Sequence, residues 1–426
     1  MQNRSGPANL SLSVVWAAAF ARAAASLCIL AALIVLTGAV DALAQGSRDA
    51  RAFAATLGDK DRKEFEDWFT ARTFYNAELD AYWGKVEAKR ASRRKKKAQE
   101  EALVEADYVD SFPPEYKGPA LGKRLADAWA KFQEDEEPRD KPPPDEIPGL
   151  DVYLLEAKRQ YGFEPERIAE REFKRRYAAE ALRLGLTREQ VVRVYALETG
   201  GLGTADMQAG IHPIRKTGKP ISSALGYAQL LNANSIGELV KHGGDIVERL
   251  KAIARQPGLS SERQERIAEK VTALGKMLAR VRKVPNQWAS HVAFARTPAG
   301  QGVHAINIDG DIGPWLQVIK LKGIKDIATR AGRGDINPTE LELMNLAGPG
   351  TGLEMMTSVG RGMPTPNFFE RRGYYRNSVV RGRTSAQLLD ALEERMNQNE
   401  KNSGAVEFYA VFDEVIAAQG SRQARQ

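Results

Sequence analysis

Residues 135–149 read DEEPRDKPPPDEIPG, and this stretch limits the chain more than any other. Its prolines fix φ and remove backbone donors, and its acidic side chains repel one another, so it favours an extended linker and cannot contribute to a packed core. The stretch is therefore expected to mark a domain boundary. The linker separates a charged N-terminal region, 45–134, from a main domain, 150–400, which is followed by a C-terminal helix and tail at 401–426. A length of 426 residues with 43% hydrophobic content supports more than one core.

The fold class expected from the pattern is mainly α, because no sustained period-2 alternation appears. Thr187 and Gln190 form a capping box before the stripe Val191, Val194, Tyr195 and Leu197, and Gly200-Gly201 stops that helix. Ser261 caps a second helix carrying Ile267, Val271, Leu274, Leu278 and Val281. Asn337 with Pro338 starts a third, and a fourth covers about 385–397. Ser222 to Gln229 reads as the start of another helix with a serine cap. In the N-terminal region Leu121, Leu125, Trp129 and Phe132 follow helical spacing and should pack on a partner.

The first 44 residues have Arg4 and Arg22, an apolar run from Ala23 to Val40, and Ala42-Leu43-Ala44. This order is that of a secretory signal peptide cleaved after Ala44, with export to the periplasm. The alternative is a retained inner-membrane anchor over 23–40, which is just long enough to span a bilayer. Cys28, the only cysteine, lies within this segment, so the exported chain has no thiol and no disulfide. The basic cluster Lys89-Arg90 and Arg93 to Lys97 lacks stacking aromatics, which argues against nucleic acid and for a solvated helix face. A net charge of +7 suits an anionic envelope partner.

Glu198 ends an apolar helical run directly before Gly200-Gly201. The negative end of the helix dipole and burial by Leu197 and Tyr195 both disfavour its ionised form. A carboxylic acid kept protonated near neutral pH is what general-acid catalysis on a glycosidic oxygen needs. Gly226, set inside an otherwise helical pattern, signals a close approach by backbone or ligand.

The segments ALETGG and SALGYAQLL, followed by Asn345-Leu346-Ala347-Gly348-Pro349-Gly350, resemble three motifs of the lytic transglycosylases, of the soluble-lytic-transglycosylase type. The resemblance covers roughly residues 150–380. It implies a lysozyme-like α domain, preceded here by a charged helical extension, with a groove for peptidoglycan glycan strands. Glu198 would be the single catalytic acid/base, cleaving the MurNAc-GlcNAc bond with formation of 1,6-anhydroMurNAc and needing no cofactor or metal. Thr199 stands where the family often has serine. Ser223, Gly226, Tyr227 and Gln229 would line the substrate groove, with Gln229 matching the family's glutamine. Asn345 and Gly348 would contact substrate from the third motif, and Tyr374 or Tyr375 would supply a groove tyrosine.

Two departures accompany the likeness. Alignment on Ala-Gly-Pro-Gly puts Leu346 at the family's asparagine and Asn345 at its tyrosine, unless the register shifts by one. The stretch from Glu198 to Gln229 is also longer, with extra residues around 212–219. Two other readings stay open. A lysozyme-type hydrolase would need a second carboxylate, for which Asp206, Asp309 and Asp311 are candidates. A noncatalytic protein would keep the groove for glycan binding, or organise envelope partners through 45–134. The four histidines have no metal-ligand spacing, no phosphate-binding loop is present, and Trp315 is assigned to the core.

Overall fold

The computed structural model describes residues 48–136 and 146–423. The expected leader, the alternative anchor at 23–40 and Cys28 lie outside the described residues, as do most of the linker and the last three residues of the tail. The described chain is mainly helical, as the patterning predicts, and no strand forms among the described residues. None of its helices is long and apolar enough to cross a membrane.

The chain divides into two compact units, whose described residues are 48–82 with 114–136, and 83–113 with 146–423. Part of the region expected to stand apart as an N-terminal extension, residues 83–113, thus belongs to the larger unit, as does the C-terminal helix.

In the smaller unit α1 (described over 48–55), the first part of α2 (Asp59–Ala98) and α3 (Lys123–Glu136) share an aromatic core. The stripe predicted on α3 packs as expected. Trp129 lies 5.1 Å from both Phe53 and Phe65, and Leu121 and Phe132 join the same cluster. An ion pair between Arg124 and Asp61 at 2.5 Å, and a bond from the Gly122 amide to Glu64 at 2.9 Å, tie α3 to α2.

In the larger unit one core gathers α4 (Leu150–Tyr161), α7 (Asn232–Ala254), α8 (Ser261–Val281) and α10 (Pro298–His304). Helices α9 (Trp288–Ala295) and α11 (Gly313–Arg330) adjoin it, and Trp315 of α11 is buried, as expected. A second group holds α5 (Glu170–Arg183), α6 (Arg188–Thr199), α12 (Pro338–Ala347), α16 (Ser385–Asn399) and α17 (Ser403–Gln423). Phe408 and Phe412 of α17 are fully buried, and Phe408 packs against Tyr177, Tyr195 and Tyr227. Short helices α13 (Pro349–Met355), α14 (Ser358–Gly362) and α15 (Arg371–Arg376) connect α12 to α16.

Local signals set most helix starts. Thr187 and Gln190 bond reciprocally at 3.1 Å each, which is the predicted capping box of α6. Asn337 accepts from the Glu340 amide at 2.9 Å and opens α12 with Pro338 in its first turn. For α8 the cap is Ser260, one residue before the expected Ser261, because the Ser260 hydroxyl reaches the Arg263 amide at 3.3 Å.

One expected helix is absent. Residues 222–229 form a folded loop with antiparallel bridges Gln208 to Leu225 and Leu225 to Leu230, and α7 starts only at Asn232. Tertiary bonds override the helical pattern here. The side chain of Gln317 accepts from the Ala228 amide at 3.0 Å, and buried His304 donates through Nε2 to the Ser223 carbonyl at 2.7 Å. Burial lowers the His304 pKa to about 4, so it serves as a neutral, permanently bonded tether.

Candidate functional site

Four polar side chains from three helices of the larger unit meet around Glu198. Glu198 sits in the last turn of α6, which Gly200 closes in the left-handed conformation at φ 65°. Gly201 follows at φ 67°, and a Cβ there would lie 2.1 Å from the Asn399 carbonyl, so only glycine lets the chain leave α6 beside α16. Helix α12 contributes Glu342 and Asn345, one turn apart on the same face, and α11 contributes Lys320.

Asn345 Nδ2 donates to Glu198 Oε1 at 2.9 Å and to Glu342 Oε2 at 3.2 Å. Its Oδ1 is buried and has no partner. The two carboxyls lie close enough for each to affect the other's ionisation. Burial raises the Glu198 pKa, while Lys320 and the bonds from Glu342 and Asn345 work against that rise. Burial also lifts Glu342, and the neighbouring Glu198 charge lifts it further, well above the usual carboxylate range. Glu342 is 2% exposed, whereas Glu198 retains accessible surface. Lys320 is shifted in the opposite direction: burial lowers its pKa although Glu198 and Glu342 oppose this. It makes no ion pair within 4 Å among the described residues, so it offsets the pair's charge only from a distance.

The arrangement is a pair of adjacent carboxyls bridged by Asn345, with one buried and one partly exposed member. Such a pair retains a proton at neutral pH because two adjacent carboxylates cannot both ionise cheaply. Sequence reasoning identified Glu198 and Asn345 but missed Glu342. The available signal was its spacing of three residues before Asn345, which puts both side chains on one helical face.

Several expected groove residues have structural positions instead. Tyr227 is buried, its hydroxyl bonds Glu170, and its ring packs 4.9 Å from Tyr195, so it is a core residue. Thr199 is buried and donates to the Tyr195 carbonyl at 2.6 Å, turned back into its own helix. Tyr374 is buried with its hydroxyl accepting from the Gly382 amide at 3.0 Å, whereas Tyr375 is exposed beside it. Gly226 does permit a close approach, but by protein: a Cβ there would lie 2.5 Å from Gln317 Nε2. The Ser223 hydroxyl accepts from the Asn232 amide at 3.2 Å at the start of α7.

Gln229 lies in the loop, at φ 41°, with its amide nitrogen bonded to the Gly226 and Met207 carbonyls at 2.7 and 3.3 Å. Its Oε1 makes no such bond. In the third motif the side chain that meets Glu198 is Asn345, and Leu346 is partly exposed. Gly348, at φ 85°, turns the chain from α12 into α13 and lines a cavity described below.

The three aspartates considered as second carboxylates are held by cations. Lys216 and Arg167 reach Asp206 at 2.8 and 2.6 Å. Burial opposes its ionisation, but these bonds and one from Thr204 bring the Asp206 pKa down to about 2. The extra residues around 212–219 form a small hairpin with a bridge from Ile211 to Gly218, and Lys216 attaches it to Asp206. Asp309 and Asp311 belong to an ion cluster with Lys270, at 2.9 and 2.6 Å.

No family model matches the chain, and no curated protein and no solved structure matches it either.

Proposed function

We propose that the chain is a peptidoglycan lytic transglycosylase of the cell envelope, with Glu198 as the acid/base that meets the substrate. The observation that carries this reading is the pair of carboxyls, Glu198 and Glu342, bridged by the Asn345 amide, with burial holding both above the usual carboxylate range. The likeness of three short motifs and the leader-like residues 1–44 support the same reading.

Glu198 gives its proton to the glycosidic oxygen as the C1–O bond breaks, and buried Glu342 keeps the proton affinity of the pair high enough for Glu198 to be reprotonated. The MurNAc 6-hydroxyl then attacks C1, the new C1–O6 bond forms, and the hydroxyl proton returns to Glu198. Atoms balance without water. The negative charge left on the pair favours the oxocarbenium-like transition state.

Two-carboxylate hydrolysis fits less well. It requires carboxyls about 5–5.5 Å or about 6.5–9.5 Å apart on either side of the scissile bond. Glu198 and Glu342 instead grip one amide nitrogen, which leaves no room for a sugar between them.

The test is mass spectrometry of purified peptidoglycan after incubation with the protein and with its Glu198→Gln variant. Anhydromuropeptides from the wild type, with loss of at least about a thousandfold in the variant, are expected. Reducing-end products would identify a hydrolase. Retained glycan binding without any product would leave a noncatalytic binding protein.

A further inference from the structure

The sequence cluster Arg90 to Lys97, expected to be a solvated helix face, is partly folded into the larger unit. Arg93 is 2% exposed, donating through Nε to Glu354 at 2.8 Å and through NH2 to the Asn367 carbonyl at 2.6 Å. Lys97 also pairs with Glu354. Arg90 donates to the carbonyls of Pro366 and Phe369 at 3.2 and 2.5 Å. These bonds fix one wall of a cavity of about 550 Å³, whose other wall is the turn Gly348-Pro349-Gly350-Thr351, three residues beyond Asn345.

The charges lining this cavity do not balance. Arg90, Arg93, Arg94 and Lys97 face only two carboxylates, Glu354 and Glu370. Arg94 is exposed, and among the described residues neither its guanidinium nor the Thr351 hydroxyl, which lines the same cavity, has a hydrogen-bond or ion-pair partner. Burial, followed by repulsion from Arg93 and Arg94, lowers the Arg90 pKa, so the cluster is under electrostatic stress that an anion would relieve. A planar guanidinium with all its donors free, in a cavity that also holds a free hydroxyl, matches a carboxylate.

We infer that this cavity binds a carboxylate of an acidic peptide attached to the glycan, placing the stem peptide of the substrate beside the Asn345 turn. The inference rests on the proposed function, since the peptide is recognised as part of the same polymer. It assigns part of α2 to substrate selection, a role outside the three motifs.

The test is isothermal titration calorimetry at low salt on the full chain carrying Glu198→Gln, which stops turnover. The probes are a glycan fragment with acidic stem peptides, the same fragment without peptides, the free peptide, and inorganic phosphate. Arg94→Gln, and separately Thr351→Val, should weaken the peptide-bearing fragment, by about tenfold for Arg94→Gln, and leave the peptide-free fragment unchanged. Equal losses for both fragments, or no loss for either, would overturn the inference, as would binding of phosphate but not peptide. If neither glycan binds, the proposed function fails. Free peptide that still binds in an Arg94-dependent way would then show the site without that function.

Discussion

The larger unit contains two buried acidic clusters, and they differ in whether their charge is matched. In the first, Glu166, Asp309 and Asp311 meet Lys270, Arg263 and Arg176, with Lys270 within 2.9 Å of all three acids and Arg176 2.7 Å from Asp311. In the second, Glu198 and Glu342 share one amide donor, with Lys320 acting only from a distance. In the matched cluster burial raises Asp309 against the pull of Lys270, but Asp311 stays below its usual range because Lys270 and Arg263 outweigh the burial that opposes them, whereas both members of the unmatched pair are shifted upward. Full pairing makes a structural rivet, while incomplete pairing keeps a transferable proton at neutral pH.

The sharpest way to break this comparison is Lys270→Met. It leaves Asp309, which has no accessible surface, without its cation, and should cost about 3–5 kcal/mol in urea unfolding. Activity measured well below the midpoint should change little, because the rivet does no chemistry. A loss of turnover in folded protein would mean that the two clusters are coupled.

Glu342→Gln should act the other way. With Glu342 gone the pair loses its higher titration, because no neighbouring carboxyl is left for burial and the Glu198 charge to lift, so the alkaline limb of the pH–rate profile moves to lower pH and activity near pH 7 falls about tenfold. Stability should also respond. A carboxyl whose folded pKa is raised above its unfolded value of 4.5 contributes stability below that value and loses it as pH rises through the folded pKa. The wild type should therefore weaken between pH 5 and 8 by about 1–2 kcal/mol more than Glu342→Gln does, measured as urea midpoints at both values. Parallel midpoints would mean that Glu342 is not shifted upward in the folded protein.

The smallest effect is expected at Asp206, whose pKa is depressed to about 2 from 3.8. Its contribution is present above the unfolded value and lost as pH falls through the folded one. Asp206→Asn should cost about 1 kcal/mol at pH 7, because Arg167 and Lys216 are half exposed and screened, and progressively less as pH falls through about 2. A large loss at neutral pH would place Asp206 with the rivet rather than on the surface.

Much of the fold was legible because helix signals are local. Thr187 with Gln190, and Asn337 with Pro338, act over three residues and work wherever the rest of the chain lies. The stripe from Leu121 to Phe132 likewise records which face is buried. Residues 222–229 misled because Gln317 and His304, far away in sequence, supply bonds that hold the segment as a loop. Tyr227 and Thr199 misled for a related reason: a motif gives residue type and spacing, not the direction in which a side chain turns.

By itself the sequence determined the helical class, the caps, and Glu198 as a carboxyl at the end of an apolar helix. Only the tertiary structure decided that Glu342 stands beside it, that Asn345 rather than Leu346 reaches it, that residues 83–113 join the larger unit, and that Arg93 is buried against Glu354. Propensity and capping energies depend on neighbours a few residues apart, whereas desolvation and charge pairing depend on groups that only the folded packing of α2, α6, α11, α12 and α13 brings together.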